Sequence, residues 1–346
     1  MTTDEHGVPA GVDRDLVHLM NAVFTDYREA HPHPRTSHLD TELWSHLDRL
    51  GLARLTGSEA TGGSGAGWPE AAELITAAAR RGVRIPLAEH DLLACWLLEA
   101  AGAPVDGTVR SACLLDESGR ATAVPWASSV DRLVVVWPGP AGHLLADIDA
   151  RDLRITPDTN MIGEPRDEVS ADLSTLTGIP VSADLVSRFA LRAALVRSLQ
   201  VCAALDTILE LAIEHTSTRV QFGRPLSKFQ AIQHLISDIA AEAALARAAT
   251  EAALSTALDS DWSASNVHFR VAVARSCAGH AVSVAVRNAH QALGAIGTTI
   301  EHRLHEYTRA ALAWRSEYGS VQHWDSVVTQ AALRAGEDGL WELIAD

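Results

Sequence analysis

The sequence predicts a mainly α protein with a small central β-domain and a C-terminal four-helix bundle. Three observations predict it. Ala and Leu dominate an apolar fraction of 47% while aromatics stand at 5%, a balance that favours helix. Apolar residues recur at steps of three and four at both ends of the chain. Between about Thr108 and Val181 that spacing gives way to short β-branched runs. These shifts mark an N-terminal helical domain (1–107), a shortened β-domain (108–181) and the bundle (182–346).

In the N-terminal part, Leu16, Leu19, Met20 and Val23 share one helical face. A second helix is expected from about Leu39 to Leu50, stopping at Gly51. Thr61-Gly-Gly-Ser-Gly-Ala-Gly67 reads as a flexible turn, and Pro69 suits the first turn of a helix to about Arg81. Pro86 opens another with Leu92, Leu93, Trp96 and Leu97. In the middle, Leu133–Trp137 and His143–Ile148 read as strands broken by the Pro/Gly stretch 138–142. Ile155–Pro157 and Met161–Pro165 continue the pattern. The bundle helices are expected over Ala183–Thr218, Phe229–Ala253, Ala264–Ala292 and His302–Arg315.

The formal charge of −16 repels phosphate backbones and argues against duplex nucleic acid as a partner. The four Cys residues (Cys95, Cys113, Cys202, Cys277) have no metal-ligand spacing and sit among small apolar residues, so no metal site is expected. The first 30 residues carry Asp4, Glu5, Asp13 and Asp15 and lack the apolar run of a signal peptide. No uncharged apolar run reaches the length of a membrane span. The expectation is a cytoplasmic protein, with no membrane partner.

Two segments carry chemistry. Arg219-Val-Gln-Phe-Gly-Arg-Pro-Leu-Ser-Lys-Phe-Gln230 lies between the first two bundle helices, and Gln291-Ala-Leu-Gly-Ala-Ile-Gly-Thr-Thr-Ile-Glu-His302 follows the third. A guanidinium suits a pyrophosphate, Gly lets backbone approach a cofactor, and carboxamides bridge ribose or adenine edges. Each residue also has an ordinary structural use. A lone Arg at a helix end caps carbonyls or pairs with an acid, Phe222 serves equally in a core, Gln291 as a solvated side chain and Gly294 as a C-cap.

Together the two segments resemble the acyl-CoA dehydrogenase family, in which an Arg-x-x-Phe-Gly turn precedes Pro-Leu and Phe-Gln, and a Gln-x-x-Gly-Gly-x-Gly turn lies near the C-terminus. The resemblance extends to Leu43–Leu52, to the Gly-rich 62–67 and to Val124–Val136. It implies that Arg219, Gln221, Phe222, Gly223, Gln230, Gln291, Gly294 and Ala295, with Ser320 and Gln322, bind FAD, the first set often reaching a neighbouring subunit's flavin. It further implies an acyl-CoA substrate undergoing α,β-desaturation and an electron-transferring flavoprotein as acceptor.

The departures are specific. The family's base is commonly the Glu of Tyr-Glu-Gly-Thr, and the matching stretch here is Glu317-Tyr-Gly-Ser-Val-Gln322, with Tyr318 in the carboxylate position. A phenol, titrating at about 10 in water, is a poor base at neutral pH. The other family location falls near Arg192-Ala193-Ala194, again without an acid. The Thr-Glu-Pro-x-x-Gly-Ser-Asp and Trp-Ile-Thr-Asn segments beside the flavin ring are absent, Pro125-Trp126-Ala127 being a faint echo, and the second Gly of the Gly-Gly turn is Ala295. The pattern resembles the smaller, degenerate subunit of heteromeric acyl-CoA dehydrogenases, some of which act on steroid side-chain thioesters. Such a chain would complete the flavin site of a larger catalytic subunit. The alternatives are a self-sufficient acyl-CoA dehydrogenase, as a homo-oligomer with Glu317 as catalytic base, and a flavin-free scaffolding protein of the same fold.

Overall fold

A computed structural model describes residues 12–32, 38–140 and 142–345. Asp4 and Glu5 of the acidic N-terminal stretch lie outside the described residues. The residues up to Ala193 form one compact unit and those from Ala194 onward another.

In the first unit, Asp13 caps α1 (Arg14–Ala30) and Asp40 caps α2 (Thr41–Arg49), each carboxylate accepting a backbone N–H of the first turn. Helix α3 (Trp68–Arg81) begins with Pro69 in its first turn, and Glu70 reaches back to the Gly67 N–H at 2.9 Å. The Gly-rich segment before it is not the flexible turn expected. Ser64, Gly65 and Ala66 donate backbone bonds to the carbonyls of Arg54, Gly57 and Leu55. Gly63 lies so close to Gly57 that a Cβ would stand 2.1 Å from its carbonyl oxygen. A π-helical segment (Glu89–Cys95) then leads into α4 (Trp96–Ala100).

The strands form two sheets. The first has the order β1 (Arg110–Leu114), β3 (Arg132–Gly139), β4 (Gly142–Asp149), β7 (Ile179–Val181), with β1 and β3 parallel and the other pairs antiparallel. The second, antiparallel throughout, has the order β2 (Arg120–Pro125), β6 (Arg166–Ser170), β5 (Arg154–Thr156). Leu133 through Trp137 are all buried, as expected of a central strand covered on both faces. Met161–Pro165 is a turn and not the strand the sequence suggested. Asn160 Oδ1 accepts from the N–H groups of Ile162 and Glu164, which diverts them from a ladder. Met20, Phe24, Leu47 and Leu74 share one core with Val124, Leu133, Trp126 and Val169.

Helix α5 (Ala183–Thr218) starts in the first unit and continues into the second. A two-strand hairpin follows, β8 (Val220–Gln221) and β9 (Arg224–Pro225), then α6 (Gln230–Asp259), α7 (Val267–Leu293), α8 (Leu304–Trp314) and α9 (Val321–Ala345). The fourth long helix of the bundle is therefore α9, and the expected one over His302–Arg315 is only the short α8. Its periodicity is weak because Trp324 is its one buried residue and Leu333 and Trp341 are exposed. Its path breaks at Gly336, at φ +63°. Helix α6 also runs past Ala253 to Asp259. Small residues bring helices together: a Cβ on Gly279 of α7 would stand 2.6 Å from a methyl of Val321 in α9.

The π-helical segment buries three titratable residues in succession, Glu89, His90 and Asp91. His90 Nδ1 accepts the backbone N–H of Arg110 at 3.0 Å, and burial, aided by the charge of Arg110, holds its pKa down at about 3. Asp91 Oδ2 accepts from Thr56 N and Oγ1, yet burial outweighs these bonds and raises its pKa to about 6. Folded His90 resists a proton the unfolded chain accepts below its ordinary value of 6.5, so it destabilises as pH falls. Folded Asp91 takes up its proton first, so it stabilises as pH falls from about 6 to 3.8. The two slopes oppose one another in that window. Asp91→Asn leaves His90 unopposed, and urea unfolding is expected to show the variant losing about 1.4 kcal/mol more per pH unit than the parent as pH falls from about 6 to 4. Parallel pH profiles would contradict the burial of these groups.

Candidate functional site

The site begins at the end of α5. Arg219 N donates to His215 O at 2.9 Å, closing the last helical turn, and Leu226 N donates to Arg219 O at 2.9 Å, closing the hairpin. Phe222 and Gly223 are the two central residues of that hairpin, at φ +51° and +79°. Positive φ at both is the signature of the two-residue turn that matches strand twist. Gly adopts it freely, whereas Phe does so at a cost of about 1 kcal/mol. The Phe222 ring is 91% exposed and meets the Phe229 ring edge-on at 6.2 Å between centroids. An aromatic held out in solvent on a strained backbone has no core role to compensate the strain.

The second segment starts at the C-terminus of α7, where Gly294 stands at φ +67° with no atom within 4 Å of the place a Cβ would occupy. It converges on the first. His215, Arg219, Gln221, Phe222, Leu226 and Ile232 face Gln291 through Ile296 across one cavity of about 540 Å³. Of the residues singled out in the sequence, Arg219, Gln221, Phe222, Gln291, Gly294 and Ala295 line this cavity. Gly223 forms the hairpin tip outside the lining, and Gln230 is the exposed first residue of α6. Ser320 serves as the cap of α9, its Oγ accepting from His323 N at 3.1 Å, and Gln322 is exposed in that helix's first turn.

The cavity's chemistry is one-sided. Its lining holds a guanidinium, an imidazole and two carboxamides, and no carboxylate, in a chain with 44 acidic residues. The Arg219 guanidinium, like the Gln221 and Gln291 amides, has no hydrogen-bond or ion-pair partner among the described residues. Arg219 therefore neither caps the helix nor pairs with an acid. Arg224, the other arginine of the hairpin, is engaged, its guanidinium carbon 4.2 Å from the Phe229 ring centroid. An unpaired guanidinium beside free amides and an open glycine backbone suits a ligand with a diphosphate and a heterocycle, and the residues present fit the ADP half of a flavin dinucleotide. His215 was not among the residues the sequence pointed to. Its signal was there, one helical turn before Arg219 and so on the same face.

Glu317 lies elsewhere in the same unit, in the turn between α8 and α9. Its Oε2 accepts from Arg197 Nε at 2.6 Å, with Arg197 fully buried. Arg275, also buried, donates to the carbonyl oxygens of Glu317 at 2.7 Å and Arg315 at 2.9 Å. Burial, then the like charge of Arg197, lowers the Arg275 pKa to about 10, so it stays charged at neutral pH. Tyr318, at φ +53°, sets its ring centroid 5.3 Å from the Arg197 guanidinium carbon. In the first unit, Ala193 is buried, and Arg192 stacks its guanidinium over Trp96 at 3.9 Å. Trp126 is 2% exposed, within the core. No helix among the described residues is long and apolar enough to cross a membrane.

The chain is similar to known proteins along most of its length. Residues 186–328 match the model of the acyl-CoA dehydrogenase C-terminal domain. Acyl-CoA dehydrogenase IpdE2 of Mycobacterium tuberculosis is 28% identical over 313 residues, covering 88% of this chain and 88% of that protein. Among solved structures, a chain of the ChsE4-ChsE5 complex from Mycobacterium tuberculosis superposes with a TM-score of 0.81 at 20% identity, over 96% of this chain and 98% of that one. A chain of a Tcur3481-Tcur3483 steroid ACAD variant does so with a TM-score of 0.80 at 20% identity, over 93% and 97%. The fold is that of these proteins, and the resemblance to the acyl-CoA dehydrogenase family holds along nearly the whole chain.

The exposure of Phe222 yields a direct expectation. Phe222→Asn, which replaces the ring by a residue tolerant of positive φ, should leave the unfolding free energy of the chain unchanged or raise it by up to about 1 kcal/mol. A loss of about 2 kcal/mol or more, as for a buried Phe, would show that the ring packs in the core.

Proposed function

We infer that this chain, resembling the acyl-CoA dehydrogenases throughout, is the degenerate subunit of a heteromeric acyl-CoA dehydrogenase, holding the ADP half of an FAD that serves a catalytic partner subunit. The observation that carries this reading is the carboxylate-free cavity in which Arg219, Gln221, Phe222, Gln291, Gly294 and Ala295 converge. The FAD would supply the hydride acceptor for α,β-desaturation of an acyl-CoA thioester. Arg219 would hold the diphosphate, the Gln221 and Gln291 amides the ribose or adenine edges, and Gly294 the close backbone approach. Electrons would leave to an electron-transferring flavoprotein. For the acyl group, the likeness to a steroid ACAD supports a steroid side-chain thioester.

Two features favour a partner that brings the base. Neither family location offers an acid here, Tyr318 standing at the first and Arg192-Ala193-Ala194 near the second. Glu317 is committed to Arg197, and a carboxylate accepting from a buried guanidinium is a weak proton acceptor because protonation would leave that charge unpaired. The exposed apolar side chains of the two connections, Phe222 at 91% and Ile300 at 90%, suit coverage by another subunit. A flavin-free scaffold would have no use for an unpaired arginine in an acid-free cavity.

Co-expression with a catalytically complete acyl-CoA dehydrogenase subunit tests the reading. Arg219→Ala is expected to reduce bound flavin in the purified pair by about tenfold or more while the chain stays folded, since a charge-assisted contact to phosphate contributes about 1.5–3 kcal/mol. Glu317→Gln is expected to cost about 3 kcal/mol of stability, from the unpaired Arg197, and to leave turnover per folded pair within about twofold. Turnover falling by about 10²-fold or more in folded Glu317→Gln would identify it as the base and overturn the half-site reading.

A further inference from the structure

The cavity holds one titratable group besides Arg219 that neither motif accounts for. His215 lines the wall one helical turn before Arg219, and its ring meets that of His302, from the α7–α8 connection, edge to face at 5.9 Å between centroids. The two connections that carry the cofactor motifs thus also touch through a pair of imidazoles.

We propose that His215 is a second anion-recognising side chain of this cavity, donating to the cofactor's diphosphate beside Arg219, with His302 positioning its ring. This rests on reading the cavity as an ADP site. The roles of the two rings follow from their bonds. His302 Nδ1 accepts the backbone N–H of Leu304 at 3.1 Å at the start of α8. That bond needs an unprotonated Nδ1, so a proton on His302 would break it. His305 Nδ1 lies 2.8 Å from the His302 carbonyl oxygen and fixes the same turn. His302 is therefore the neutral, fixed member. No side-chain hydrogen bond engages His215 among the described residues, so both its ring nitrogens are available to the cavity. A neutral ring set edge to face also favours a charged neighbour over a second charged ring.

The electrostatics have a definite sign. Burial, then His302 and then Arg219, lower the His215 pKa below its ordinary value of 6.5, so the ring is neutral in the free chain at neutral pH. Those are the charged or titratable groups that face it, while Glu214 and His305 act on His302. A bound diphosphate favours the protonated ring and raises the midpoint. Binding then takes up a proton between the free and bound midpoints, and affinity rises as pH falls through that window, by at most about tenfold per pH unit for one proton. Below the free midpoint the gain stops.

The test uses the full chain carrying 13C-labelled histidine, titrated with ADP and followed by NMR, with the His215 signal assigned by its loss in His215→Gln. Shifts of the Gln221 and Gln291 side-chain amides report whether ADP occupies the cavity. The expected result is that ADP moves these amides and raises the His215 midpoint, and that ADP binds about three- to tenfold more tightly at about pH 6 than at about pH 8. His215→Gln should still bind ADP but without that pH dependence, and Arg219→Ala should weaken binding at both pH values. Amide shifts with an unmoved His215 midpoint, or a His215→Gln variant that keeps the full pH dependence, would overturn the role of His215 and leave the ADP site standing. Absence of any amide shift at saturating ADP would overturn both.

Discussion

Everything proposed for this chain depends on the antiparallel run of α5, α6 and α7. Two long helices separate the Arg219 turn from the Gln291 turn, and an up-and-down chain returns to the same end after two such passes. Helix α6 has 30 residues and α7 has 27, nearly equal, so the return is accurate. The two are drawn together by small side chains. Ala243, Ala246 and Ala253 on α6, and Ala274, Ala278, Ala281, Ala285 and Ala289 on α7, are all buried. Close backbone approach across such a face fixes helix positions more tightly than long flexible side chains would. The cavity is what remains where the two connections meet beyond the packed helices.

Electrostatics then separates this end from the α8–α9 turn. At the cavity the positive charge is left unpaired and no acid faces it. At the α8–α9 turn two buried arginines engage the turn itself, Arg197 through the Glu317 carboxylate and Arg275 through the carbonyl groups around it. A buried charge without partners is costly, so these bonds hold the turn, with its one carboxylate engaged by Arg197. One turn is built to hold itself, and the other leaves its polar groups for a ligand. That division is what a subunit would keep if it lent a cofactor-binding surface and had lost the proton-transfer step.

Much of this was legible in the sequence. Helices α5 and α7, the strand Leu133–Trp137 and the Gly51 and Pro69 boundaries follow from spacing and turn chemistry, and the motif from Arg219 to Gln230 marked the turn between the first two bundle helices, though not its hairpin. The exceptions have local causes. Helix α9 buries one residue, so periodicity had little to report. Met161–Pro165 failed as a strand because Asn160 captured its backbone donors, a three-dimensional fact hidden behind an apolar pattern. Within the site, the sequence named Arg219 and Gln291 but not that their side chains are unpaired, which decides between a cap and a ligand group. The roles of His215, Arg197 and Arg275 could not be read from their neighbours in the chain, because they depend on partners 40 to 120 residues away.

The central claim is that the cofactor site is completed by unlike chains, and flavin stoichiometry addresses it most directly. The chain purified alone, and then together with its catalytic partner, would be assayed for flavin absorbance per subunit. The account predicts little or no flavin on the chain alone and one flavin per pair of unlike chains in the complex. One flavin per subunit retained by the chain alone would contradict it.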